Sequence, residues 1–213
     1  MAATGRRVPI VTPPHLTEEQ YMTETLDPTR GLRENNAWLK RYYFTRAAFS
    51  IVWVVAAFAL ADATTAVVAT LLLIYPAWDA GCNGVDAQRN GGLRRNPTQL
   101  FNLVVSAATT VAVAIALTQG MNAVLGVFGV WASLTGLLQL ATAVGRRKNS
   151  SGQWPMILSG IQSTAAGGSF IIKAGATAVP QITAIAPYAA FGALYFFVSA
   201  TWLTIVDARR PHA

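Results

Sequence analysis

The chain is poor in the residues from which enzymes and soluble surfaces are built. Only 12% of its 213 residues are charged, against roughly a quarter in a soluble domain. Cys82 is its one cysteine, which excludes an internal disulfide and a multi-cysteine metal site. Its two histidines, His15 and His212, lie in the tails, so no His/carboxylate cluster suited to zinc is expected. No phosphate-binding glycine loop is present: the "GGS" at 167–169 sits in an apolar run and lacks the following Lys. The serines within the apolar runs have no base to activate one as a nucleophile. These absences point to a non-enzymatic protein with no cofactor and no metal.

What the chain has instead is apolar length. Hydrophobic residues make up 53% of it. Six runs, at 46–61, 63–82, 98–118, 121–144, 155–174 and 182–206, approach or reach the roughly 20 residues that span a bilayer as a helix. They do not alternate as barrel strands would. The expected fold class is all-α, a polytopic membrane protein with six transmembrane helices. Residues 1–40 form an arm with an interfacial segment, 41–208 the transmembrane domain and 209–213 a tail. Residues 1–37 hold no apolar stretch of signal-peptide length, so the first run is expected to serve as its own insertion signal. Within the arm, Thr17 is a suitable N-cap for a short helix that Pro28 would stop. The segment "RENNAWLKRYYFTR" mixes aromatic and basic residues as headgroup-level segments do.

The net charge of +7 is distributed for lipid and not for nucleic acid. Of sixteen Lys and Arg residues, all but Lys173 flank the runs on one side. By the bias of Lys and Arg toward cytoplasmic loops, both termini are expected inside. Arg89, Arg94, Arg95, Arg146, Arg147, Arg209 and Arg210 each follow an apolar run. There they can complement a helix C-terminus, pair with a nearby carboxylate or contact anionic headgroups. The motif Val-Asp-Ala-x-Arg is printed twice in this setting, at 85–89 and 206–210.

Repetition extends beyond that motif. A shift of 58 residues takes Arg89 to Arg147, Pro97 to Pro155 and Ser106 to Thr164. A shift of 63 takes Phe128-Gly129 to Phe191-Gly192 and Arg146-Arg147 to Arg209-Arg210. The expectation is three helical hairpins with weak internal repeats around a threefold axis along the membrane normal. Gly126, Gly129, Ser133 and Gly136, and Ser159, Ser163 and Gly167, recur at helical spacing beside Gly160, Thr164 and Gly168. Such faces let helices approach closely. Packing within the chain is the expected use, and a homo-oligomer face is the alternative.

Polar residues inside the runs are few. Asp79 lies in "LLLIYPAWDAGCNG", near Pro76, about one turn from the cytoplasmic end. A carboxylate at that depth needs a partner or water. An arginine of the 89–95 loop, such as Arg89 or Arg94, is the expected partner; a proton- or cation-responsive role is the other reading. Asn102, Gln139 and Gln162 lie deeper. They could line a pathway, although hydrogen bonding between helices is the commoner use.

The segment "GVWASLTGLLQLATAVGRRKNSSGQWPMILSGIQSTAAGGSFI" resembles the repeated membrane unit of the HdeD-like family. The matching positions are Gly129, Trp131, Gly136, Arg146 to Lys148, Trp154 and Leu158 to Ile161. The resemblance covers about 120–172, weakens over the remaining runs and does not reach residues 1–40. The "YPAWD" box and the long arm depart from the family pattern. The resemblance implies a small bacterial inner-membrane protein tied to acid or envelope stress, with no catalytic residues to carry over. Two rivals stand beside it: a small channel or transporter with a polar path through the bundle, and a scaffold whose arm recruits a partner.

Overall fold

A computed structural model describes residues 28–146 and 154–209. The described chain is all-helical. Six long helices run in order: α1 (Pro28–Ala59), α2 (Thr65–Arg89), α3 (Pro97–Ala116), α4 (Met121–Arg146), α5 (Trp154–Ala174) and α6 (Ala186–Ala208). Short 3₁₀ turns at Leu93–Arg95 and Ile182–Ala184 lead into α3 and α6. The arm's expected helix from Thr17 lies outside the described residues.

Five of the helices are long and apolar enough to cross a membrane. The expectation of six is met in helix number but not in apolar content. The fifth run forms α5, 21 residues long, but Ser159, Gln162, Ser163 and Thr164 dilute it. The outside of the bundle is greasy, as a lipid-facing surface requires. Val52, Val111, Ile172 and Trp202 are each more than 60% exposed.

Proline marks where helices begin. Pro97 opens α3 at a position that needs no intrahelical N–H. Pro28 opens α1, which continues unbroken into the first apolar run, so the expected interfacial segment belongs to the spanning helix itself. Pro76 lies inside α2 and cannot bond the Leu72 carbonyl. One residue away, Trp53 Nε1 of α1 donates to the Leu71 carbonyl at 2.7 Å.

The helices associate in three close pairs: α2 with α3, α4 with α5, and α1 with α6. The first two are sequence neighbours joined at the basic end. The third joins the first helix to the last, and there Lys40 Nζ meets Asp207 Oδ2 at 2.8 Å. Seams between pairs are looser, the α5–α6 and α1–α2 seams most of all.

Glycine explains the tightest pair. A Cβ on Gly136 would stand 2.6 Å from the Thr164 nitrogen, and one on Gly167 would stand 2.5 Å from the Gly129 carbonyl oxygen. The backbones of α4 and α5 thus touch directly, gaining dispersion contacts that lipid does not otherwise reward. The small residues of these runs pack within the chain at Gly129, Ser133, Gly136, Gly160, Thr164 and Gly167. Gly168 takes no part, because a Cβ there would meet nothing within 4 Å.

One end of the bundle is dry. Trp53, Leu72, Val113, Val124, Leu125, Phe128, Ile182 and Ile185 form a buried cluster. These residues lie toward the ends of α1 and α3 and the starts of α2, α4 and α6, all at the end opposite the Arg89 loop.

Gly136→Ala and Gly167→Ala should each destabilise the protein by about 1–3 kcal/mol, the usual cost of overpacking. Gly168→Ala should be neutral or slightly stabilising. Thermal unfolding of the three variants in one detergent checks this ranking.

Candidate functional site

A cavity of about 770 Å³ lies inside the bundle. All six helices line it. Its polar wall includes Ser50, Asp79, Asn102, Thr135, Gln139, Gln162 and Tyr195. The four residues singled out from the sequence, Asp79, Asn102, Gln139 and Gln162, therefore border one space although they come from four helices. At the basic end the lining reaches Asp86, Thr98 and Gln99, close to the helix termini. Toward the other end the bundle axis is filled by the apolar cluster, while beside α5 and α6 the lining continues to Lys173, Ala184 and Pro187.

The centre of the wall is an ion pair. Arg46 Nη2 of α1 bonds Asp79 Oδ1 of α2. Both side chains are largely buried, 15% and 17% exposed. The partner expected for Asp79 was an arginine of the 89–95 loop; the partner is Arg46. A helical carboxylate projects sideways and cannot follow its own chain around the following turn. The Arg89 guanidinium instead lies 5.5 Å over the Trp38 ring, and Arg94 and Arg95 are exposed. Asn96 folds their loop back, donating to the Gly92 and Asn90 carbonyls at 2.8 and 2.9 Å. Arg209 is exposed at the same end. Arg147, Arg210 and the side chain of Arg146 lie outside the described residues.

From the ion pair a hydrogen-bond chain crosses the bundle. Ser106 Oγ of α3 donates to Asp79 Oδ2 at 2.7 Å. Trp131 Nε1 of α4 donates to Ser106 Oγ at 3.0 Å. Asn83, one turn along α2, donates to the same Asp79 oxygen at 3.1 Å. On the other flank Arg46 Nη1 donates to the Tyr42 hydroxyl at 3.0 Å, and that hydroxyl donates to the Cys82 carbonyl at 3.3 Å. The Arg46 guanidinium also lies 4.2 Å over the Phe196 ring of α6. A buried charge needs this many partners to offset its lost hydration.

Sequence reading passed over Arg46, counting it among the basic residues that flank the first run. It also passed over Ser106 and Trp131 as polar partners. Helical spacing held a clue: Tyr42, Arg46 and Ser50 recur every four residues on one face. The Val-Asp-Ala-x-Arg repeats find a structural use in their aspartates. Asp86 accepts from Gln99 of α3 at 3.2 Å and Asp207 meets Lys40 of α1, so each ties its helix to that helix's close partner.

Among the described residues no group of three or more His, Cys, Asp or Glu is placed to hold a metal. A family model described as a short repeat of unknown function (DUF308) matches residues 101–172. That region runs from the start of α3 to the end of α5, roughly a third of the chain. The chain matches no curated protein and no solved structure. The chain therefore carries a segment similar to this repeat family, and with it the reading of a multi-pass membrane protein. The match brings no activity with it.

Asp79→Asn and Arg46→Met should each cost about 3 kcal/mol of stability, at the lower end for breaking a buried pair because both groups border the cavity. The double variant Arg46→Met/Asp79→Leu should recover part of that loss. Unfolding of all three in detergent checks it; additive losses would mean that the two groups are not coupled.

Proposed function

We propose that the chain is a small membrane protein of transporter or channel type, in a state open to its basic face and closed along its axis at the other. The observation that carries this is the six-helix cavity, polar toward the basic end and closed along the axis by the apolar cluster around Phe128, Leu72 and Ile185. A bundle built only for structure gains nothing from leaving such a volume unfilled, since each void forfeits dispersion contacts. Polar groups that line a void inside a membrane characteristically mark a water-filled path. The reading favours the transport alternative over the stress-response role that the HdeD-like resemblance implies. It keeps the chain non-enzymatic and without a cofactor.

The finer architecture belongs to the same proposal. The basic face is cytoplasmic, both termini lie on that side, and the membrane is the bacterial inner membrane. Six spans form three hairpin repeats, α2–α3, α4–α5 and, closing the circle, α6–α1. The three close pairings support this reading, as does the equivalence of Asp86 and Asp207. Arg94, Arg95 and Arg209 then face anionic headgroups.

Thiol labelling tests side and access together. In a Cys82→Ser background, Ser163→Cys in the cavity should react with an impermeant charged thiol reagent from the side that labels Arg94→Cys. It should not react from the side that labels Gln119→Cys. In intact cells Gln119→Cys should be the accessible one. Reaction of Ser163→Cys from neither side would mean a dry bundle and a structural role.

A further inference from the structure

We propose that the seam between α5 and α6 is a lateral opening, and that a bilayer amphiphile with an uncharged or zwitterionic head enters the cavity through it. This rests on the solute-admitting reading and names its substrate class.

The seam is built unlike the close pairs. Where α4 and α5 meet backbone to backbone through glycine, α5 and α6 approach along only a short stretch. Two tyrosines of α6 bridge the gap. The Tyr195 hydroxyl donates to Gln162 Oε1 at 2.8 Å. The Tyr188 hydroxyl lies 3.2 Å from Ser163 Oγ, which itself donates to the Ala132 carbonyl at 2.9 Å. Hydrogen bonds of this kind are individually weak in a membrane, so two such rungs close a seam without locking it.

The residues around the rungs leave room. Ala165, Ala166 and Gly192 line the cavity here. A Cβ built on Gly192 first meets the Tyr75 hydroxyl of α2, at 3.7 Å, so Gly192 looks across the cavity. Some lining residues also face outward: Ala165 is exposed, and Phe191 is 48% exposed. The cavity wall and the lipid-facing surface are therefore continuous along this seam. On the bundle axis they are separated by side chains with no exposure at all, Phe128 and Ile185 among them.

Polarity along the opening sets the class of molecule. Phe170 and Phe191 offer apolar surface toward the far end, fit for a chain. Gln162, Tyr195 and the Arg46–Asp79 pair stand toward the basic end, fit for a head. An inner-leaflet amphiphile presents head and tail in that order. The charges of Arg46 and Asp79 cancel, and the rungs are neutral donors and acceptors. An anionic head would face Asp79 and Asp86, and a cationic head would face Arg46, with Lys173 a second cation at the far rim.

The full chain in phosphatidylethanolamine–phosphatidylglycerol vesicles can be photolabelled with a monoacylglycerol carrying a diazirine in its tail. Labelling should saturate, be competed by unlabelled monoacylglycerol, and concentrate on residues 162–170 and 187–196. Ala166→Phe should abolish the saturable part, while Gly168→Phe, on the same helix but off the cavity, should keep it. Should Ala166→Phe fail to fold, a reducible bifunctional methanethiosulfonate across Gln162→Cys and Tyr195→Cys, with Cys82→Ser, replaces it. Labelling should vanish when this clamp is set and return on reduction. Unsaturable labelling of all lipid-facing helices, or saturable labelling indifferent to both blocks, would overturn the opening. Stronger saturable labelling by a diazirine fatty acid would overturn the head class. Reaction of Ser163→Cys from the basic face without saturable lipid labelling would sink the seam and leave the cavity standing.

Discussion

The contact between Arg46 and Asp79 governs the rest of the bundle. Two charges placed within apolar helices cannot remain apart, because each would face the loss of its hydration alone. Once joined, they fix the rotation of α1 against α2. The second carboxylate oxygen then recruits Ser106 from α3, and Ser106 orients Trp131 of α4. Four helices are thereby set in register by one acid. α5 and α6 stand outside this chain of bonds and are attached differently, α5 by glycine contact with α4 and α6 by its long packing on α1, with Lys40 on Asp207 and Arg46 over Phe196. The fold has a polar-pinned part and a part held largely by shape, and the loose α5–α6 seam is bridged only by the Tyr188 and Tyr195 hydroxyls.

Polarity is graded along the bundle, and the gradient follows from how each end is filled. Toward the far end large apolar side chains meet with nothing left to hydrate. Toward the basic end hydroxyls and amides face inward. Some of these bond to each other, as Tyr195 does to Gln162, and in the proposed reading the cavity also admits water beside them. Hydration makes an inward-facing amide tolerable at that depth. The same hydration would weaken the Arg46–Asp79 attraction relative to a dry core.

Local features were readable from the sequence and rotational ones were not. Pro97 announced the start of α3 because a residue without an N–H suits a helix opening. Glycines at helical spacing announced that α4 and α5 carry faces for close packing. Asp79, Asn102, Gln139 and Gln162 stood out as polar residues in apolar runs. That they border one space depends on how each helix is turned about its axis, which no single run encodes. The partner of Asp79 was missed for the same reason. Arg46 is 33 residues away in sequence, and its basic neighbours disguised it as a flanking charge. The fifth helix shows the converse problem, since serines and glycines that lower its apolar content are those that let it pack.

The pairing of α1 with α6 has a consequence for how the protein is made. Chains emerge from the ribosome in order, N-terminal first. Both α2–α3 and α4–α5 can form as soon as their second member is inserted. α1 enters the membrane before any of them and must wait for the last helix to gain its principal neighbour. Until then its link to the growing bundle is the loose α1–α2 seam, with Arg46 holding Asp79. The early ion pair thus acts as a mooring during synthesis, keeping the first helix at hand until the final helix arrives to close the circle.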